Sequence, residues 1–162
     1  MLRIVMPRIV MPRILMPRIL IIEARFYSEI ADLLAQGAEQ VLADKGVEWR
    51  KLAVPGVFET PAALAMAVAA EQDYDGYIVL GCVIRGETSH YDYVCGESAA
   101  GLNRLAIQHQ LALGYGVLTV ETMAQAMERA CPQKRNKGGE AARACLQMIE
   151  LQKRLLERDF SR

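Results

Sequence analysis

Between Gly81 and Val94 the sequence reads GCVIRGETSHYDYV. An arginine, a glycine, a glutamate, two hydroxyls and a histidine stand together there, directly after an apolar run. His90 carries an imidazole, a group that can take up and return protons at physiological pH. It could equally do no more than bond a neighbour. In Gly86-Glu87-Thr88-Ser89-His90 the backbone amides open onto a predicted helix start, and helix N-termini attract anions. Thr88 and Ser89 add hydroxyl donors. Either could also be the N-cap residue of that helix, and the two roles are compatible.

A second group lies in ERACPQKRNKGG, Glu128 to Gly139, which holds Arg129, Lys134, Arg135 and Lys137 between two predicted helices. Cations beside a helix start suit a phosphate. For Lys134 and Arg135 a solvated basic turn is the preferred reading. Phe26 follows a predicted strand end and could stack on a flat ring or sit in the core. Glu59, after Gly56, could bind hydroxyls or amines of a ligand or simply complement a helix start. The chain has no P-loop pattern and no GxGxxG, so nucleotide sites of those kinds are unsupported.

The elements that must carry these residues alternate. Arg18 to Ala24 is a plausible buried strand with Pro17 at its start. The segment after Phe26 has apolar residues at Ile30, Leu33, Leu34, Ala38, Val41 and Leu42, a helical spacing that Gly46 would end. VEWRKLAV reads as a strand ending at Pro55-Gly56. FETPAALAMAVAAEQ reads as a helix with Pro61 early, where a helix tolerates it. Gly76 to Ile84 is a continuous apolar run, the kind of strand buried on both faces of a parallel sheet. A helix is predicted from Tyr91 through His109, a strand over LALGYGVLTV, a short helix over Glu121 to Ala130 and a last helix over Lys137 to Leu156. Strands and helices in alternation predict an α/β domain, with a mostly parallel sheet and helices on both faces. Ligands bind such sheets beyond the carboxyl ends of the strands. Three of those ends carry unusual residues: Arg25-Phe26, Pro55 to Glu59, and Arg85 to His90.

The 162 residues fit one domain with a single core. Hydrophobic residues make up 52% and charged residues 23%, ordinary values for a globular protein. A formal net charge of zero argues against a nucleic-acid partner, and no apolar run approaches a membrane span. The four cysteines form no CxxC pair and only two histidines exist, so no metal site is expected. They read as small buried hydrophobes in a reducing cytoplasm.

The chain begins with a five-residue unit four times over, MLRIV MPRIV MPRIL MPRIL. A period of five suits neither helix nor strand, and Pro7, Pro12 and Pro17 each remove a backbone donor. Residues 1–15 therefore read as a repetitive extension, mobile or pairing with a partner, and the domain as residues 16–162. A signal peptide would need a longer unbroken apolar core. The surplus copies could compete with Arg18 to Ala24 for one strand register, but only the last copy joins Phe26 directly. Removing Met1 to Leu15 is expected to leave activity intact.

VPGVFETP, GCVIRGETSHYDYV, YGVLT and ERA…NKGGEAA, in this order and spacing, resemble the lumazine synthase family from about Pro17 to Leu156. The resemblance implies a flavodoxin-like, three-layer α/β/α sandwich with a central, mostly parallel four-stranded sheet. It implies condensation of 5-amino-6-(D-ribitylamino)uracil with 3,4-dihydroxy-2-butanone 4-phosphate to 6,7-dimethyl-8-ribityllumazine in riboflavin biosynthesis, with no metal or organic cofactor. Under it, His90 matches the proton-transfer residue and Phe26 the aromatic that stacks on the pyrimidine. Val57, Phe58 and Glu59 match the turn that holds the ribityl chain and ring, and Val83 and Ile84 the strand end whose backbone holds the ring. Glu87 and Thr88 match the phosphate-holding turn, Arg129 the cation on the substrate phosphate, and Tyr115 an aromatic lent by a neighbouring subunit. The partners implied are small-molecule substrates and further copies of the chain, in an assembly built from pentamers and located in the cytoplasm. Val57 and Thr60 stand where the family often has smaller or more apolar residues. CPQKR replaces a commoner loop, with Gln133 where many members carry lysine and Lys134 as a possible substitute. A non-catalytic flavin- or lumazine-binding shell protein of the same fold is the alternative reading.

Overall fold

The computed structural model describes residues 16–71 and 73–158. The repetitive extension, residues 1–15, lies outside the described residues, as do 159–162. Four strands, β1 (Arg18–Ala24), β2 (Glu48–Val54), β3 (Gly76–Ile84) and β4 (Leu113–Val120), form one sheet in the order β2-β1-β3-β4. Every pairing is parallel, so the expected mostly parallel sheet is wholly parallel among the described residues. Five helices cover it: α1 (Ser28–Asp44), α2 (Thr60–Ala69), α3 (His90–His109), α4 (Met123–Ala130) and α5 (Lys137–Leu156).

The sheet separates two apolar layers. Ile19, Ile21, Ile78, Leu80, Leu118 and Val120 pack with α1, α4 and α5. Leu20, Ile22, Tyr77, Val79 and Val117 point the other way, against α2 and α3. Successive residues of a strand face opposite sides, so a strand apolar at every position must be covered twice. That is why β1 and β3 read as unbroken apolar runs. Ile19, Ile21, Ile22, Ile78, Val79 and Leu80 are all fully buried, and each contributes about 1.5–3 kcal/mol of transfer free energy. The outcome is the three-layer α/β/α sandwich.

Two local features set how tightly the layers close. Gly46 ends α1 with a φ of 65°, a left-handed value that glycine adopts without steric cost. Gly138, in the first turn of α5, sits so close to α1 that a Cβ there would land on the Leu34 carbonyl. Asn136 caps α5 through a 3.1 Å bond from the Gly139 amide to its side-chain oxygen.

Helix starts differ slightly from expectation. α3 begins at His90, one residue early. α4 begins at Met123, because the Thr122 hydroxyl caps it by accepting from the Gln125 amide at 3.2 Å. Glu121 thereby stays outside the helix.

Candidate active site

Since β1, β2 and β3 run parallel, their carboxyl ends open on one edge of the sheet. β1 feeds α1 at Phe26, β2 feeds a short 3-10 turn at Val57–Glu59, and β3 feeds the turn Arg85 to Ser89 that enters α3. β1 and β3 are adjacent, and the chain leaves them toward opposite ends of the sheet. Such a switch point opens a crevice.

Phe26 stands at this edge 73% exposed, its ring edge-on to Tyr27 at 5.0 Å between centroids. It is not a core aromatic. An exposed ring of this size at a crevice is available to stack on a flat ligand. In the 3-10 turn the side chains divide. Val57 is buried against Gly81, at a place where a Cβ on Gly81 would come within 2.7 Å of a Val57 methyl. Only the backbone of Val57 is left to meet a ligand. Phe58 and Glu59 are exposed. The buried Thr60 hydroxyl donates to the Val57 carbonyl at 2.7 Å, so this polar group costs nothing unsatisfied. Val83 and Ile84 are half-buried at the end of β3, paired with Thr119 and Val120 of β4.

The turn after β3 is solvent-facing from Arg85 to His90. Ser89 occupies the N-cap position with no side-chain cap bond, and the Thr88 hydroxyl oxygen accepts from the His90 amide, two residues on, at 3.3 Å. Glu87, Thr88 and His90 thus lie together on one helix entry, and His90 is the first residue of α3.

Arg129 comes from α4, which leaves the end of β4 beside this turn. Its guanidinium folds back to donate to the Gln125 carbonyl at 3.1 Å. In the loop to α5, Lys134 pairs with Glu128 at 3.1 Å, Lys137 with Glu140 at 2.6 Å, and the Cys131 thiol lies on Gln133 at 3.2 Å. Lys134 is therefore already engaged in a half-exposed surface pair, as a solvated basic turn would be.

Tyr115 is not at this edge within one chain. It pairs with Val79, five residues before Ile84 in the same register, so about 16 Å back along the sheet. It is 44% exposed and borders a groove of about 460 Å³ between α3, β4 and α5, lined also by Leu102, Ile107, Leu111 and Met148.

Two features have no counterpart in the residue-by-residue expectations. Glu23 is a buried carboxylate within β1, 5% exposed. One oxygen accepts from Arg25 at 3.1 Å and the other has no hydrogen-bond partner. Arg25 reaches on to Asp32 at 2.8 Å. The signal was present, since residues two apart share a strand face. Arg85 is the second. It binds Glu121 and Asp92 and covers the ring of Tyr91. Among the described residues no group of three His, Cys, Asp or Glu could hold a metal ion, and no helix is long and apolar enough to cross a membrane.

A model of the 6,7-dimethyl-8-ribityllumazine synthase family matches residues 16–153. The chain is 50% identical over 141 residues to the 6,7-dimethyl-8-ribityllumazine synthase of Paramagnetospirillum magneticum, covering 83% of this chain and 94% of that protein. It is 51% identical over 138 residues to that of Bartonella bacilliformis, covering 83% and 89%, and 48% identical over 134 residues to that of Novosphingobium aromaticivorans, covering 83% and 95%.

Proposed function

The chain belongs to the 6,7-dimethyl-8-ribityllumazine synthase family, and from that premise we propose how its own residues carry the reaction. It condenses 5-amino-6-(D-ribitylamino)uracil with 3,4-dihydroxy-2-butanone 4-phosphate. The observation that supports the assignment is the gathering of Phe26, the Val57–Glu59 turn and the Arg85–His90 turn at one edge of a parallel sheet.

The pyrimidine stacks on Phe26. The ribityl chain lies along Val57, Phe58 and Glu59, with Glu59 accepting from hydroxyls and Val57 offering backbone groups. The ring's polar edge meets the backbone of Val83 and Ile84. The butanone phosphate sits on the Glu87-Thr88 turn at a helix entry, a setting that favours anions, and Arg129 supplies the cation. The amine of the pyrimidine attacks the ketone, and loss of one water gives an imine. Elimination of phosphate follows, and the ribitylamino nitrogen closes the ring with loss of a second water. Each step moves a proton, and His90 at the helix entry is the group that shuttles it. Arg129 and the turn stabilise the departing phosphate. Much of the remaining acceleration is entropic, from holding two substrates in one orientation.

The active unit in this reading is a homo-oligomer built from pentamers and working in the cytoplasm. Tyr115 completes the site of an adjacent copy, and the groove beside it, bordered by exposed Ile107 and Met148, is the surface that copy covers.

Mixing the protein with both substrates tests the function. Lumazine absorbance should rise in step with released phosphate. Tight product binding without turnover would leave only a binding role.

A further inference from the structure

The Arg85 guanidinium is the junction of three elements. Its own amide donates to the Val120 carbonyl at 3.0 Å, extending the ladder between β3 and β4 by one residue. The side chain then turns to the ends of two other segments. Nε lies 3.0 and 3.2 Å from the two carboxylate oxygens of Glu121, just past β4. Nη1 and Nη2 both reach Asp92 Oδ1 at 3.4 Å, in the first turn of α3. Cζ stands 4.1 Å from the centroid of the Tyr91 ring, which adds a cation–π contact.

Each arm continues toward a residue assigned to the phosphate. On one side Tyr91 and Asp92 immediately follow His90, and the Asp92 amide donates to the Ser89 carbonyl at 3.0 Å, closing the turn that holds His90, next to Thr88. On the other side the Glu121 amide donates to Gln125 Oε1 at 2.8 Å, and the Gln125 carbonyl receives Arg129 Nη1 at 3.1 Å. His90 and Arg129 lie on different helices, yet both connect to Arg85 through no more than two intervening residues.

Stability alone gives little reason for such a junction. The Arg85 side chain is 39% exposed, and its partners Asp92 and Glu121 are 61% and 57% exposed. Ion pairs that wet contribute little. What a planar guanidinium offers is geometry: it forks toward two carboxylates and stacks on a ring at once, which a lysine ammonium cannot do.

We propose that Arg85 is a positioning residue that fixes the His90-bearing start of α3 against the Arg129-bearing α4, setting the width of the phosphate end of the site. The inference rests on the functional reading above, and particularly on the phosphate lying between the Glu87-Thr88 turn and Arg129.

Steady-state kinetics with each substrate varied in turn, on wild type, Arg85→Lys, Glu121→Gln and the double variant, test it. Displacement of positioned groups by about 1 Å costs up to about a hundredfold in rate, so Arg85→Lys should raise the butanone phosphate KM and lower kcat, each about tenfold. The pyrimidine KM and the thermal midpoint should stay in place. Glu121→Gln should show the same pattern more weakly, and the double variant should be no worse than Arg85→Lys, because both act on one path. A butanone phosphate KM that does not move, or that rises equally with the pyrimidine KM, overturns the proposal. A wild type that turns over beside an unaffected Arg85→Lys sinks the brace alone. A wild type without turnover sinks the functional reading and the brace together.

Discussion

Removing the imidazole of His90 and removing the guanidinium of Arg129 should fail in different ways. His90→Ala takes away a proton shuttle, and general acid–base groups contribute about 100- to 10,000-fold, so kcat should fall by at least about 100-fold with KM nearly unchanged. Arg129→Ala takes away a charge-assisted contact worth about 2 kcal/mol, so the butanone phosphate KM should rise about 30-fold. Initial-rate measurements separate the two, and equal, negligible effects would refute the assignment. At this scale the sequence was informative about residue types and poor about side-chain directions. Phe26 could have been core, and only its 73% exposure decides for a surface role. Val57 looked like a ligand contact, but its side chain fills the space left by Gly81. Arg85 was visible as one letter in a dense motif. Its partner Glu121 is far away in sequence, and only the pairing of β3 with β4 makes them neighbours.

Elements were more legible than their contacts. The Gly76–Ile84 strand was bounded correctly because burial on both faces makes every position apolar, and the edges of such a run are sharp. Helix starts are blurred by caps: Thr122 closes α4 from outside, so the helix starts two residues after the expected Glu121. Close approach between helices leaves almost no trace in sequence. Gly138 reads as an ordinary glycine near a helix start, yet it is where α5 touches the backbone of α1 at Leu34. A methyl group there has to push two backbones apart, and overpacking of this kind costs about 1–3 kcal/mol. Gly138→Ala should therefore lower stability by about 2–3 kcal/mol in urea unfolding, with the midpoint falling and the slope unchanged. A variant as stable as wild type would show that α1 and α5 do not pack this closely in solution.

The whole molecule carries two further expectations. Burial pushes the thiols of Cys82 and Cys145 up from the ordinary 9.0 to about 12. In the unfolded chain those thiols lose protons from about pH 9, while the folded protein retains them to about pH 12. The unfolded state then binds fewer protons in that window, so stability is fully present below about pH 9 and falls as pH rises toward 12. Replacing Cys145 by alanine should make that alkaline slope shallower, measurable as unfolding midpoints across the window, and an unaltered slope would contradict it. Assembly is the second. Ile107 is 70% exposed beside the groove at Tyr115, so Ile107→Glu should lower the mass seen by light scattering if a second copy covers that face. An unchanged mass would move the interface elsewhere. The sheet order has one more consequence, and it concerns the making of the protein. β1 lies between β2 and β3, both of which follow it in the chain. The ribosome releases Ile19, Ile21 and Ile22 before either flanking strand exists, and cannot supply the last of the helices that cover this sheet until α5 has emerged. The stretch destined for the centre is thus bare for longest during synthesis. Factors that guard nascent chains against aggregation therefore meet this protein's future core early in its synthesis.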